Sequence, residues 1–183
     1  MATITIAQAR FLGNDSGRAT KGMDPGWNSQ MIEGTTQAFV QGTLVRWLSG
    51  KVAAVTAADS FTQAVGILGF ADGAAVGTTS ARMTAGIRLI QPGDLYLMNC
   101  VGPTTVVTAA ADLGALVFLR IATTSLFLTA NLDGTPAVTS LHGVIVGHWL
   151  AANKGQSDGD VIGDTNGRVV VRIPDQWGLQ GRM

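Results

Sequence analysis

The chain has 183 residues, of which 46% are hydrophobic and 13% charged, and its formal net charge is zero. That length allows one sizeable core, or a core with an arm, and the charged share is about half that of an ordinary soluble domain. With no net charge and no Lys/Arg cluster, the sequence argues against direct nucleic-acid binding, which requires phosphates to be neutralised. Mean hydropathy is positive, but the longest apolar candidate, Leu113 to Ala130, is broken by Gly114, Arg120 and Thr123-Thr124-Ser125. No run is long enough to span a bilayer, and no basic start leads into an apolar stretch, so neither a membrane helix nor a secretory leader is predicted. Burial between subunits is the simplest outlet for the surplus apolar surface, because obligate interfaces resemble a core cut in half.

Glu33 is the single glutamate against eleven aspartates, and three lysines stand against nine arginines. Helix surfaces favour Glu and Lys, whereas Asp favours turns. Gly, Thr, Val and Ala dominate instead, which predicts many short strands joined by tight turns.

In chain order, residues 1–37 read as an extended N-terminal arm. Thr3-Ile4-Thr5-Ile6-Ala7 alternates like a short strand, and Gly13 to Gly26 is too polar and glycine-rich to hold itself together. Lys21 lies in no phosphate-loop spacing. Ile4, Ile6, Phe11, Leu12, Trp27, Met31 and Ile32 are the apolar anchors of this arm, expected to order against the body or a neighbouring subunit. A β-rich body spans 38–176. Its predicted strands include Phe39–Leu48 with a bulge or turn at Gly42, Val52–Val55, Ala64–Phe70 and Gly86–Ile90. Then come Asp94–Val101 after a Pro92-Gly93 turn, Thr104–Thr108, Ala115–Ile121, Ser125–Thr129, Gly143–Leu150 and Arg168–Ile173. Single helical turns are predicted within 56–63 and 109–114. Residues 177–183 form a tail that begins at Trp177, a further candidate contact. About ten short strands without long amphipathic helices predict an all-β fold, an antiparallel barrel or sandwich.

Little in the sequence points to bond chemistry. His142 and His148 are evenly separated, which puts both on one face of a continuous strand. Six strand residues span roughly 20 Å, however, too far to share one metal at about 2 Å per ligand. Asp158, Asp160, Asp164 and Asn166 make an oxygen-rich loop that could hold calcium, but the spacing is not that of an EF-hand and the same residues are ordinary in turns. Cys100, the lone cysteine, follows a strand-like run and reads as a buried structural thiol, compatible with synthesis in a cytoplasm. No serine lies in a Gly-x-Ser-x-Gly turn. No catalytic, cofactor or metal residue is assigned, and the chain is expected not to be an enzyme.

The runs Gly42-Thr-Leu-Val, Gly50-Lys-Val, Ala64-Val-Gly-Ile-Leu, Gly93-Asp-Leu-Tyr and Gly143-Val-Ile-Val-Gly resemble the small head-decoration, or cement, proteins of tailed bacteriophages. The resemblance implies a β-rich body on the outside of an icosahedral capsid, made in the host cytoplasm. It also implies the major capsid protein as partner, dimers or trimers of the chain itself, and an arm reaching capsid subunits or neighbours. On that reading Ile4, Ile6, Phe11, Leu12, Trp27, Met31, Ile32 and Trp177 make the contacts, and deleting 1–37 leaves the body folded. The alternatives are another phage component, such as a tail or baseplate protein, and a small-ligand-binding β-barrel.

Overall fold

Short aliphatic and β-branched runs bounded by glycine become strands here, as the composition leads one to expect. The computed structural model describes residues 4–15, 32–33, 42–48, 51–55, 67–71, 87–101, 113–121, 128–131, 142–149, 160–161 and 164–174. All regular structure among them is β: β1 (Arg10–Asn14), β2 (Ile32–Glu33), β3 (Leu44–Leu48), β4 (Lys51–Ala54), β5 (Ile67–Ala71), β6 (Ile87–Leu89), β7 (Asp94–Val101), β8 (Leu116–Ile121), β9 (Leu128–Asn131), β10 (His142–His148) and β11 (Arg168–Arg172). The predicted strand 104–108, the turns within 56–63 and 109–112, and the tail from 177 lie outside the described residues.

Five strands close into a barrel in the order β7-β11-β10-β8-β9, with β9 returning to β7. Four of the five joints are antiparallel, and the β7–β9 joint is parallel, with Cys100 opposite Ala130. A ring of five strands cannot alternate direction throughout, so closure requires a parallel joint. The sequence predicts an antiparallel barrel or sandwich, and the barrel departs from that at this one parallel joint. β1 pairs with the N-terminal half of β7, on the stretch that β9 leaves uncovered. A second sheet has the order β2-β4-β3-β5-β6, antiparallel except for the two-residue β2–β4 pairing.

The alternation of β7, β8 and β11 puts Tyr96, Met98, Cys100, Val117, Leu119, Ile121, Val169 and Val171 into one buried cluster. Ala130, Ile145 and Ile173 join it, as do Leu44, Val55 and Phe70 from the second sheet or its flank. Each fully buried aliphatic or aromatic side chain there contributes about 1.5–3 kcal/mol relative to exposure. The fit is close at Gly143, where a Cβ would collide with the Val171 side chain. The Pro92-Gly93 signal forms the turn before β7. The Asp94 amide donates to the Gln91 carbonyl over 3.2 Å, and Gly93 takes φ +77°, a value only glycine adopts without strain.

Two bulges shape the surface. Along β1 the register passes from Phe11 opposite Tyr96 to Gly13 opposite Leu95, so Leu12 is the extra residue. Along β10 it passes from Ile145 opposite Val171 to Gly147 opposite Val170, so Val146 is extra. An extra residue shifts the side-chain alternation by one. Both extra residues are apolar and both are exposed, Leu12 at 36% and Val146 at 46%.

Candidate functional surface

The N-terminal segment is held by side chains before any ladder begins. The buried Asn99 of β7 accepts from the Ala7 amide at 2.9 Å and donates to the carbonyls of Thr5 and Asn166 at 3.3 and 2.7 Å. Asn166 donates to the Ile4 carbonyl, and the Ile4 amide donates to the Thr165 carbonyl. These bonds replace the strand expected at 3–7; regular pairing starts at Arg10. Beyond it, Asn14 donates to Asp94 Oδ1 at 2.8 Å and Arg172 donates to Asp15. Residues 4–15 are thus bound to the barrel.

That placement divides the predicted contact residues. Phe11 turns inward, its ring 5.6 Å from Tyr96 and 3.2 Å from the Arg88 guanidinium. Ile4 and Ile6 are half-buried, and Leu12 faces out. Ile32 is paired through its backbone in β2, and Trp27, Met31 and Trp177 lie outside the described residues. Because Phe11 belongs to the core of the body, removal of 1–37 takes away a strand and a core side chain as well as an arm.

The exposed apolar residues of the barrel are ones that the sequence reading did not single out. Leu116 of β8 lies directly opposite Val144 of β10. The ladder continues through Ala115 and Gly114 to Ile145, which brings the Leu113–Gly114 turn beside Val146. Leu113, Leu116 and Val146 are 53%, 46% and 46% exposed, and Val144 is half-buried. Together they form an apolar patch on the outside of β8 and β10. The signal was present in Leu116-Val117-Phe118-Leu119 and Val144-Ile145-Val146, where both faces of the strand are apolar. A barrel strand has only one inner face, so the other apolar face must point outward.

The two histidines separate. His142 lies opposite Phe118 on the outer side, whereas His148, beyond the Val146 bulge, lies opposite the inward-facing Val169. The bulge overturns the expectation that both share a face. The oxygen-rich loop is occupied with its own structure. Asp160 accepts from the Arg168 side chain, Nη2 to Oδ1 at 2.7 Å and Nε to Oδ1 at 3.0 Å, and from the Arg168 amide. Asp164 accepts from the Val161 amide, and Asn166 sits at φ 59°, a left-handed position that asparagine tolerates. Asp158 is outside the described residues. Among the described residues no group of three His, Cys, Asp or Glu side chains is placed to hold a metal. Cys100 is buried, as its position predicted.

The remaining polar cluster lies where β1, β6 and β7 meet. Asp94 Oδ2 accepts from the Gln91 amide at 2.9 Å and from the Tyr96 hydroxyl at 3.1 Å, while Asn14 holds Oδ1. Burial pushes the Asp94 carboxyl above 3.8, outweighing Asn14, Gln91, Tyr96 and Arg88, which all pull it down. Burial, with Asp94 adding to it, also holds the Tyr96 phenol well above its usual range. A carboxyl raised by folding binds its proton more tightly in the native state, so its contribution is fully present below 3.8 and is lost as pH rises through the native value. Urea melts of the protein and of Asp94→Asn over that window should therefore show the wild type gaining stability relative to the variant as pH falls. Parallel pH profiles would exclude Asp94 as the source.

Comparison with protein-family models and with curated proteins finds no match for this chain.

Proposed function

We propose that this chain is a structural protein of a phage particle that binds the outer surface of an icosahedral capsid and cements the shell by bridging capsid subunits. The observation that carries this reading is the apolar patch of Leu113, Leu116, Val144 and Val146 on the outside of a barrel whose inside is filled by its own side chains. A contiguous exposed apolar patch marks an interaction surface. The glycine-and-strand pattern that resembles cement proteins supports the identity of the partner, and the low charge suits a chain whose surface is covered in its working state. A cement protein binds the assembled lattice better than free subunits and so stabilises the lattice by mass action.

The small-ligand barrel is the weaker reading. About eight strands are needed before a barrel interior holds even one small ligand, and this barrel has five. Purified capsids lacking the protein are the test material. Added protein should co-sediment with them saturably, and cryo-electron microscopy should place new density at symmetry-related positions on the outer surface. Failure to bind expanded capsids overturns the proposal, and binding to tails or baseplates instead moves the protein there.

A further inference from the structure

We infer that Asn166 is a self-modification site, where attack by the Gly167 amide converts the asparagine to aspartate or isoaspartate and releases the N-terminal segment irreversibly. The inference goes beyond capsid binding and stands without it. Asn166-Gly167 is the single Asn-Gly step in the chain. An asparagine side chain reaches the backbone amides beside it, and glycine at the next position puts no Cβ in the way of that approach. In the reaction the Gly167 nitrogen bonds to Asn166 Cγ, the Cγ–Nδ2 bond breaks, and ammonia leaves with the amide proton. The cyclic imide that results then takes up water. Opening on the Cγ side gives aspartate, and opening on the main-chain side gives isoaspartate. Water is the co-reactant, and nothing is oxidised or reduced.

The fold both restrains this step and ties it to the N-terminal segment. Asn166 occupies a turn at φ 59°. The Gly167 amide donates to the Asp164 carbonyl over 3.2 Å, and Asn166 Nδ2 donates to the Ile4 carbonyl over 3.3 Å. Both reacting groups are thus engaged, but by bonds at the long end of the range. The carbonyls of Asn166 and Gly167 are held more tightly, at 2.7 Å by Asn99 Nδ2 and at 2.8 Å by the Cys100 amide. Attack therefore needs a local opening of the turn, in which the Ile4 carbonyl gives up the Asn166 donor. Asn99 governs that opening, because its one side chain binds the Asn166 carbonyl, the Thr5 carbonyl and the Ala7 amide. After the reaction the Ile4 carbonyl faces a carboxylate, acceptor against acceptor. Isoaspartate also adds a methylene to the main chain, displacing the Thr165 and Gly167 carbonyls that accept from the Ile4 and Cys100 amides. The attachment of residues 4–7 is then lost and does not re-form.

Prolonged incubation of the full chain at neutral pH, followed by peptide mass spectrometry, tests this. The wild type should accumulate aspartate and isoaspartate at 166 ahead of its other asparagines. Asn99→Ala, which frees the turn, should speed the conversion at least about tenfold. Gly167→Ala should slow it, since a Cβ then stands beside the attacking nitrogen; if that variant folds poorly, Asn99→Ala and Asn166→Asp decide. Asn166→Asp carries one product side chain from the start. Its Ile4 and Ala7 amides should exchange with solvent faster than those of the wild type, while the amides of β11 stay protected. A wild type that keeps its amide at 166 overturns the inference. So does an unchanged rate in Asn99→Ala, which would uncouple the reaction from the N-terminal segment, and so does unchanged exchange at Ile4 and Ala7 in Asn166→Asp.

Discussion

Replacing Asp160 by alanine should lower the stability of the fold by about 3–5 kcal/mol, the usual cost of removing one partner from a buried ion pair. The Asp160 side chain is 1% exposed and that of Arg168 23%. Its carboxylate accepts both from the guanidinium and from the Arg168 amide, so alanine removes two contacts to Arg168 at once. The pair also fixes one end of the barrel. The Asp160 amide donates to the Trp149 carbonyl, the Trp149 amide donates to the Arg168 carbonyl, and the Gly167 carbonyl accepts from Cys100. Loss of Asp160 therefore loosens the β10–β11 connection together with the loop that carries Asn166, the anchor of Ile4. Urea melts of Asp160→Ala, Arg168→Ala and the double variant should show the double variant to be less damaged than the sum of the singles, because both single changes remove the same contact. An Asp160→Ala variant within about 0.5 kcal/mol of the wild type would place the pair among ordinary surface contacts.

The strands that could be read from the sequence are those with one clean periodicity and a marked boundary. Asp94–Val101 has the bounds expected for it, because Pro92-Gly93 stops the preceding run and a largely apolar run of eight residues follows the turn. Arg168–Arg172 is similarly plain, with its buried residues at every second position. The bulges were hidden for a physical reason. One extra residue shifts the alternation by one position, but where residues on both sides are apolar, as in Phe11-Leu12 and Ile145-Val146, the shift leaves no mark on the pattern. That single shift separates His142 from His148 and makes Val146 an exposed residue. The attachment of residues 4–9 was hidden for a different reason. It depends on the amides of Asn99 and Asn166 from distant parts of the chain, and local alternation around Thr3–Ala7 carries no information about either. The apolar patch was legible as surplus hydrophobicity, while its position depended on knowing which face of β8 and β10 the barrel encloses.

Tyr96 joins the N-terminal strand, the barrel and the second sheet, and Tyr96→Ala should cost about 3–5 kcal/mol, the range for removing a buried aromatic ring. It is 1% exposed and heads the fully buried side chains by size. Its ring lies 5.6 Å from Phe11 on β1 and 5.1 Å from Phe70 on β5, edge-on to the first and tilted to the second. Each aromatic pair adds about 0.5–1.5 kcal/mol beyond the area buried. Tyr96→Phe keeps both pairs and removes only the hydroxyl that donates to Asp94, which retains the Gln91 and Asn14 donors. That variant should lose about 1.5–3 kcal/mol, the scale of one hydrogen bond to a charged group. Amide hydrogen exchange separates the two effects. Tyr96→Ala should speed exchange in β1 and β5 together, because one cavity loosens both contacts, whereas Tyr96→Phe should leave both protected. Faster exchange in β5 alone would mean that Phe11 is held by Arg88 without the tyrosine, and equal costs for the two variants would mean that the hydroxyl matters more than the ring. If the ring matters more, docking of the N-terminal strand and integrity of the second sheet are one cooperative unit. A variant that weakens the arm then also weakens the body, so any change in binding on altering Phe11 must be read against a melt of the same variant.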